Sequence, residues 1–354
     1  MPIAALTAVG GYDGVPVDGK KIGFGFLDRP GVREQLRLAQ KAEALGYNSL
    51  WVTETRLARD APSVLGAMAA TTERIRLGSG IVNSWTRGPA LMAMTFATLD
   101  NLAPGRLSVG LGAYWDPLAW KQGIDRRKPL TQMREYVGVL RRLLALEAGV
   151  TFEGELVKVR DLTLDLGYGD ARVPPDVKIY LGPTGPKMMQ LSGELADGVL
   201  MNGILPPYYT VEALGLLAEG AARSGRTLAD IDKVQLVNVS MDAEPEKAKF
   251  DAKRLVTQYL GQQPHFAKAL RFPEDRLAEI KRIMGGWPPR PGGIEDAMSL
   301  VDDALVDDLI AHGTPEQCVA SARRWLDAGL DEIVLIPLSR NYDEILEAFA
   351  PHPA

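Results

Sequence analysis

Cysteine and histidine are the scarce residues of this 354-residue sequence, which has one of the first and three of the second. Cys318 alone can build neither a disulfide framework nor a cysteine-based zinc or iron–sulfur cluster. His265, His312 and His352 are well separated and confined to the C-terminal part, which leaves no histidine-rich metal site. No apolar run approaches the ~18 residues of a membrane span, and the opening MPIAALTAVGGYDG lacks the charged start of a secretory leader. Positive charge is not in surplus either. Lys and Arg number 40 against 45 Asp and Glu, a net charge of −5, which argues against nucleic acid as a partner. The expectation is a cytoplasmic protein that binds neither nucleic acid nor membrane. It acts on a small molecule without metal, without thiols and almost without imidazoles.

What the sequence does have is alternation. The apolar run KIGFGFL precedes GVREQLRLAQKAEALGY, where Val32, Leu36, Ala39, Ala42 and Leu45 recur at helical spacing and Gly46 is placed to end the helix. NSLWVTE, RIRLGSGIV, RLSVGLG, VKIYLG, DGVLMN, KVQLVNVSM and DEIVLIP are further apolar runs, separated by helical segments such as PALMAMTFATLDNL and PEQCVASARRWLDAG. Strands of this kind are parallel and buried on both faces, and their number predicts an α/β fold, the TIM (β/α)8 barrel. A doubly wound open sheet gives the same alternation. The strand count and the missing nucleotide fingerprint after the first strand favour the barrel. Residues 1–20 read as an N-terminal arm and 21–354 as one barrel domain. That domain carries an insertion over about 113–176 after strand 4, with a hairpin at FEGELVKVRDLTL, and a helical excursion over about 244–312 before strand 8.

In such a barrel the chemistry sits at the C-terminal strand ends and the loops after them. That rule selects Gly25 and Phe26, Thr53 to Thr55, Ser79 to Asn83, Leu111 to Ala113, Leu181 to Thr184, Met201 with Asn202, and Ile336 to Ser339. Glu54 can serve there as acid, base or hydrogen-bond partner, or simply pair with Arg56 or Arg59. LGSGIVN puts Gly78 and Gly80 in a buried strand, which points to a bulge or to the close approach of a ligand. Gly110 and Gly112 repeat the theme on the next strand, so neighbouring strand ends stripped of side chains leave room for a flat ring. LGPTGPK joins a strand to a helix either as a plain tight turn or as an anion site built from free backbone N–H groups. Lys187 in the first helical turn opposes the helix dipole, which a bound anion would explain. Asp302–Asp303 and Asp307–Asp308 read as polar helix faces, Met92, Met94, Met188 and Met189 as core filling, and Cys318 as a packed thiol.

Five segments carry a resemblance: KIGFGF, GYNSLWVTE, RIRLGSGIVNSWTRGPALMAMTFATLDNLAPGRLSVGLG, YLGPTGPKMMQLSGELADGVLMN and GTPEQCVASARRWLDAGLDEIVLIP. Together they resemble the luciferase-like monooxygenase superfamily, nearest its deazaflavin-dependent methylenetetrahydromethanopterin reductase branch. The resemblance implies a homodimeric barrel enzyme that transfers hydride with coenzyme F420, a deazaflavin, or with FMN. By position it places a bulged third strand with a non-prolyl cis peptide at Gly80–Ile81 behind the cofactor ring. Thr53, Ser79, Asn83, Leu111 and Gly112 are expected to line the same ring. The turn Gly182, Pro183, Thr184, Gly185, Pro186 falls on the segment that holds the cofactor phosphate. Glu54 and Thr55 fall on the second-strand acidic–histidine pair and are the expected catalytic residues. Gly25, Trp85, Tyr114 and Trp115 are expected to shape the substrate pocket.

Three departures qualify the resemblance. Thr55 stands where the alcohol and sugar-phosphate dehydrogenases of the group have histidine, Ala113 where the latter have glutamate, and Gly25 where the pterin reductases have glutamate. The cofactor half of the pattern is kept and the substrate half is rewritten. The expected function is F420-dependent hydride transfer between the cofactor's C5 and a C=C, C=N or C=O carbon of a small organic substrate. An FMN-dependent monooxygenase using reduced flavin and oxygen is the alternative. A non-catalytic flavin-binding protein and a redox-free barrel for sugar phosphates are readings of other classes.

Overall fold

A computed structural model of the protein describes residues 20–167 and 173–351, so the arm expected over 1–20 lies outside the described residues except for Lys20. The strands are β1 (Lys21–Phe26), β2 (Ser49–Val52), β3 (Arg76–Ser79), β4 (Val82–Asn83), β5 (Leu107–Gly112), β6 (Val150–Glu153) and β7 (Lys158–Leu162). β8 (Lys178–Leu181), β9 (Gly198–Met201), β10 (Asp232–Met241), β11 (Ala311–Gly313) and β12 (Glu332–Pro337) follow. Around them run α1 (Val32–Ala44), α2 (Ala61–Thr71), α3 (Pro89–Leu102), α4 (Asp116–Lys121), α5 (Pro129–Leu144), α6 (Pro186–Leu195) and α7 (Pro207–Arg223). The remaining helices are α8 (Pro245–Gln262), α9 (Pro264–Ala269), α10 (Glu274–Met284), α11 (Gly293–Ala297), α12 (Asp303–Leu309), α13 (Pro315–Asp327) and α14 (Tyr342–Ala348).

The eight apolar runs become the staves of the expected closed barrel. Parallel pairing runs β1, β2, β3, β5, β8, β9, β10, β12, and β12 pairs back onto β1 with Gly23 opposite Val334. Side chains alternate across each strand, so every second residue enters the barrel. There Trp51, Tyr180, Leu200, Val234, Val334 and Ile336 form an inner core. Glycine makes room for the two large rings. A Cβ on Gly78 would lie 2.5 Å from the Trp51 ring, and one on Gly198 2.3 Å from Tyr180. The N-terminal end of the barrel is closed by polar groups. Ser49 and Asn48 both donate to Glu332, Trp51 Nε1 donates to Ser49 Oγ at 2.7 Å, and Arg76 donates to the Tyr180 hydroxyl at 2.7 Å. Burial pushes the Glu332 carboxyl above its ordinary range.

The outer core lies between the strands and the helix ring, and Cys318 is packed into it with its thiol pushed up to about 12 by burial. Between β5 and β8, α5 packs against α3 and α6, while β6 and β7 form the expected antiparallel hairpin. The helical excursion has its own apolar cluster, including Val256, Leu260, Ile280, Met284 and Ile294. It ends in the strand β11, which periodicity read as helix. β12 accompanies β10 only as far as Pro337 opposite Val239, and from there β11 pairs with Val239–Met241. Met94, expected in the core, points outward from α3. Among the described residues no helix is long and apolar enough to cross a membrane.

Candidate active site

Thr53 follows β2 on the same face as Ser49 and Trp51, so its side chain enters the mouth of the barrel. It is only 5% exposed, and its Oγ1 has no hydrogen-bond partner. Ser240, on the inward face of β10 with Val234, is likewise buried with an unpartnered hydroxyl. Buried polar groups are nearly always paired, so orphans at the catalytic end of a barrel mark where a polar ligand would be satisfied.

The third stave carries the expected bulge. Gly78 pairs with Ser108, and pairing resumes with Val82 opposite Leu111, so this stave spends one residue more than its neighbour over the same interval. The Gly80–Ile81 peptide is cis. Ser79 fixes the bulge from both sides, donating from Oγ to the Gly110 carbonyl at 3.1 Å and accepting from the Gly110 N–H at 2.9 Å. The glycines do not leave an open face for a ring, as the sequence reading had it. A Cβ on Gly110 would lie 2.1 Å from the Ser79 carbonyl oxygen, on Gly112 2.0 Å from Ile81 Cδ1, and on Gly182 3.0 Å from Ile81 Cγ2. They seat the bulge, and the surface offered at the mouth is the half-buried Ile81 side chain.

Other expected contacts are also redistributed. Leu111 turns its side chain into the outer core and gives its carbonyl to the Gly182 N–H at 2.9 Å, so neither group is free to line a ring. Asn83 spends Oδ1 on the N–H groups of Trp85 and Thr86 at 3.0 and 2.9 Å, which makes it the organiser of a turn. Gly25 is packed, since a Cβ there would lie 2.3 Å from Ile336 Cδ1, so it offers no pocket space. Trp85 donates from Nε1 to the Ala113 carbonyl at 3.2 Å, which brings it together with the half-buried Tyr114 and Trp115. In the Gly182–Pro186 turn, Tyr209 donates to the Thr184 carbonyl at 2.7 Å, and Gly185 starts α6 without a side-chain cap.

Glu54 is held by neither Arg56 nor Arg59. Both of its oxygens take bonds from Arg87, at 2.8 and 2.9 Å, and the two side chains are 13% and 18% exposed. Arg87 also bonds Asp60, and its carbonyl accepts from the Tyr136 hydroxyl at 2.8 Å. The two carboxylates hold its guanidinium firmly charged. The carboxylate that faces Thr55 is Asp28, just past β1. Thr55 Oγ1 donates to Asp28 Oδ1, and Arg56 reaches Oδ2 at 3.0 Å. Arg59 donates to the Asp28 main-chain carbonyl. Sequence reasoning missed Asp28, Arg87, Tyr209 and Ser240. Asp28 lies just beyond the first strand run and could have been found by extending the strand-end rule by two residues. Ser240 lies at the end of the run KVQLVNVSM, where the same rule would have found it, whereas Arg87 and Tyr209 depend on how a loop and a helix pack, which no periodicity encodes.

The profile for luciferase-like monooxygenases matches residues 5–332. A 5,10-methylenetetrahydromethanopterin reductase of Methanolobus tindarius is 31% identical over 92% of this chain and 97% of its own length. An F420-dependent glucose-6-phosphate dehydrogenase of Microbacterium testaceum is 31% identical over 90% of this chain and 91% of its own. Among solved structures, the coenzyme F420-dependent tetrahydromethanopterin reductase of Methanopyrus kandleri superposes with a TM-score of 0.81 at 26% identity, covering 94% of this chain and 97% of that one. Barrel and sequence agree, and the chain belongs to the luciferase-like monooxygenase family.

Proposed function

We propose that the protein is a coenzyme F420-dependent oxidoreductase that moves a hydride between C5 of the deazaflavin and an unsaturated carbon of a small organic substrate. The observation that carries this reading is the third-stave bulge seated on Gly110, Gly112 and Gly182, which presents Ile81 beside the orphaned Thr53 hydroxyl. The similar reductases and dehydrogenases that are named for coenzyme F420 support the cofactor. Ile81 gives a flat ring an apolar backing, and Thr53 and Ser240 can each donate to or accept from its polar rim. In the Gly182–Pro186 turn the backbone N–H groups of Thr184 and Gly185, just ahead of α6, are suited to the phosphate. When bound, the cofactor would give or take the hydride.

The chain's own part is orientation and proton handling. Trp85, Tyr114 and Trp115 wall the substrate against the ring, and correct placement lowers the barrier without added chemistry. Thr55 Oγ1 and Asp28 Oδ1 form the hydrogen-bonded pair through which a substrate proton enters or leaves. Glu54 is a positioning residue that fixes Arg87 between the loops after β2 and β4. The test is oxygen uptake. Reduced F420 is consumed anaerobically once an acceptor is present, and reduced FMN drives no oxygen uptake above the protein-free rate. Oxygen uptake coupled to reduced FMN would overturn the reading in favour of a monooxygenase.

A cytoplasmic homodimer completes the proposal. No charged residue occurs in α2, and none in α3 before Asp100, while Leu91, Met94 and Leu102 are 46%, 53% and 53% exposed. An uncharged face of this kind on two adjacent barrel helices suits burial against a second copy. Light scattering on the purified protein is expected to give a dimer, and Met94→Glu a monomer. A wild-type monomer would contradict it.

A further inference from the structure

On the outside of the barrel, α5 and α6 part to leave a cleft of about 440 Å³ that begins beside the Gly182–Pro186 turn. Leu130 and Leu191 contribute apolar surface to it. Arg134, Lys187 and Arg223 bring positive charge, and Thr131 brings a hydroxyl. Two carboxylates face them. Glu194 divides its carboxylate between Arg134 on one oxygen and Arg223 at 3.2 Å on the other. Glu135 accepts the backbone N–H groups of Glu155, Leu156 and Val157 at 2.8, 2.8 and 2.9 Å, and so caps the hairpin turn. Lys187 makes no ion pair or hydrogen bond among the described residues. Three cations therefore stand against two carboxylates, a local excess of positive charge on a molecule whose net charge is −5. A local field opposed to the overall charge concentrates anions where it occurs. The size of the cleft suits an organic ligand, and its apolar surface favours a carbon skeleton over a bare ion.

We propose that this cleft binds an organic polyanion bearing phosphate or carboxylate groups, with Lys187 and Arg134 as its principal contacts. Two sources share that chemistry. One is the anionic end of the cofactor, continuing past the phosphate turn, and this source rests on the proposed function. The other is a free phosphate- or carboxylate-bearing ligand, which does not.

Calorimetric titration of the full-length protein with tripolyphosphate and with a triglutamate peptide tests the cleft itself. Saturable binding of at least one probe is expected, weakened about tenfold in Lys187→Gln and in Arg134→Gln and unchanged in Lys158→Gln on the hairpin. Lys187→Gln breaks no contact within the fold, so the test stands even where Arg134→Gln disturbs Glu194. Absence of saturable binding by the wild type, or equal binding by wild type and Lys187→Gln, overturns the proposal. Titration with F420 and with its deazaflavin core lacking phosphate and tail identifies the source. Loss of affinity in Lys187→Gln for F420 alone assigns the cleft to the cofactor's end. Equal affinity for both compounds, together with lost binding of the two probes, assigns it to a free ligand. A wild type that binds no F420 removes the proposed function and leaves the probe titrations to decide the cleft.

Discussion

Thr53 shows how a single residue can be disadvantageous to the fold and useful to a ligand. Its hydroxyl lies inside the barrel mouth with no partner, and an unsatisfied buried group of this kind costs about 1–3 kcal/mol. Thr53→Val keeps the shape and removes the hydroxyl. The expected outcome is a protein at least as stable to urea as the wild type that binds F420 more weakly. A destabilised variant with unchanged affinity would place Thr53 in the packing instead. The sequence marked Thr53 through its place at a strand end, but could not show that the hydroxyl has no partner. That depends on which neighbours approach. Glu54 is the same case with the opposite result, since its position was legible and its partner Arg87, 33 residues away, was not.

Elements were legible where burial imposed a period. Eight strands covered on both faces leave continuous apolar runs, and the helices between them repeat at helical spacing. β11 escaped because three residues, Ala311 to Gly313, are too few to show a period and follow directly on a helix. The bulge was legible from Gly78 and Gly80. What Gly110 and Gly112 hold was not, because the Ile81 side chain that fills them belongs to another stave. The Glu54–Arg87–Asp60 group is an element-scale device that ties the loops after β2 and β4 together. Glu54→Gln removes one strong acceptor from a largely buried pair, and a loss of about 1–3 kcal/mol in stability is expected. Cofactor affinity and turnover should fall together. Turnover lost at unchanged stability and affinity would return Glu54 to the role of a proton-moving group.

At the scale of the molecule, the barrel is clamped where its ends meet. Asp343 on the last helix bonds Arg37 and Lys41 of the first, which lower its carboxyl to about 2. A carboxyl held below its ordinary 3.8 adds stability above that value, and the contribution disappears as pH falls through about 2. Asp343 is 45% exposed, so solvent screening limits the effect to under about 1 kcal/mol. Urea unfolding of wild type and Asp343→Asn should therefore differ slightly at neutral pH and coincide near pH 2, whereas a constant gap would point to packing. The cofactor is likewise a property of the whole chain, since no one stave specifies it. The bulge, the orphaned hydroxyls and the Gly182–Pro186 turn belong to β2, β3, β8 and β10, which only the closed barrel brings round to one end. Fluorescence titration of the purified protein with F420 and with FMN tests that convergence most directly. Saturable binding of F420, tighter than that of FMN, is the predicted result, and binding of FMN with none of F420 would contradict it.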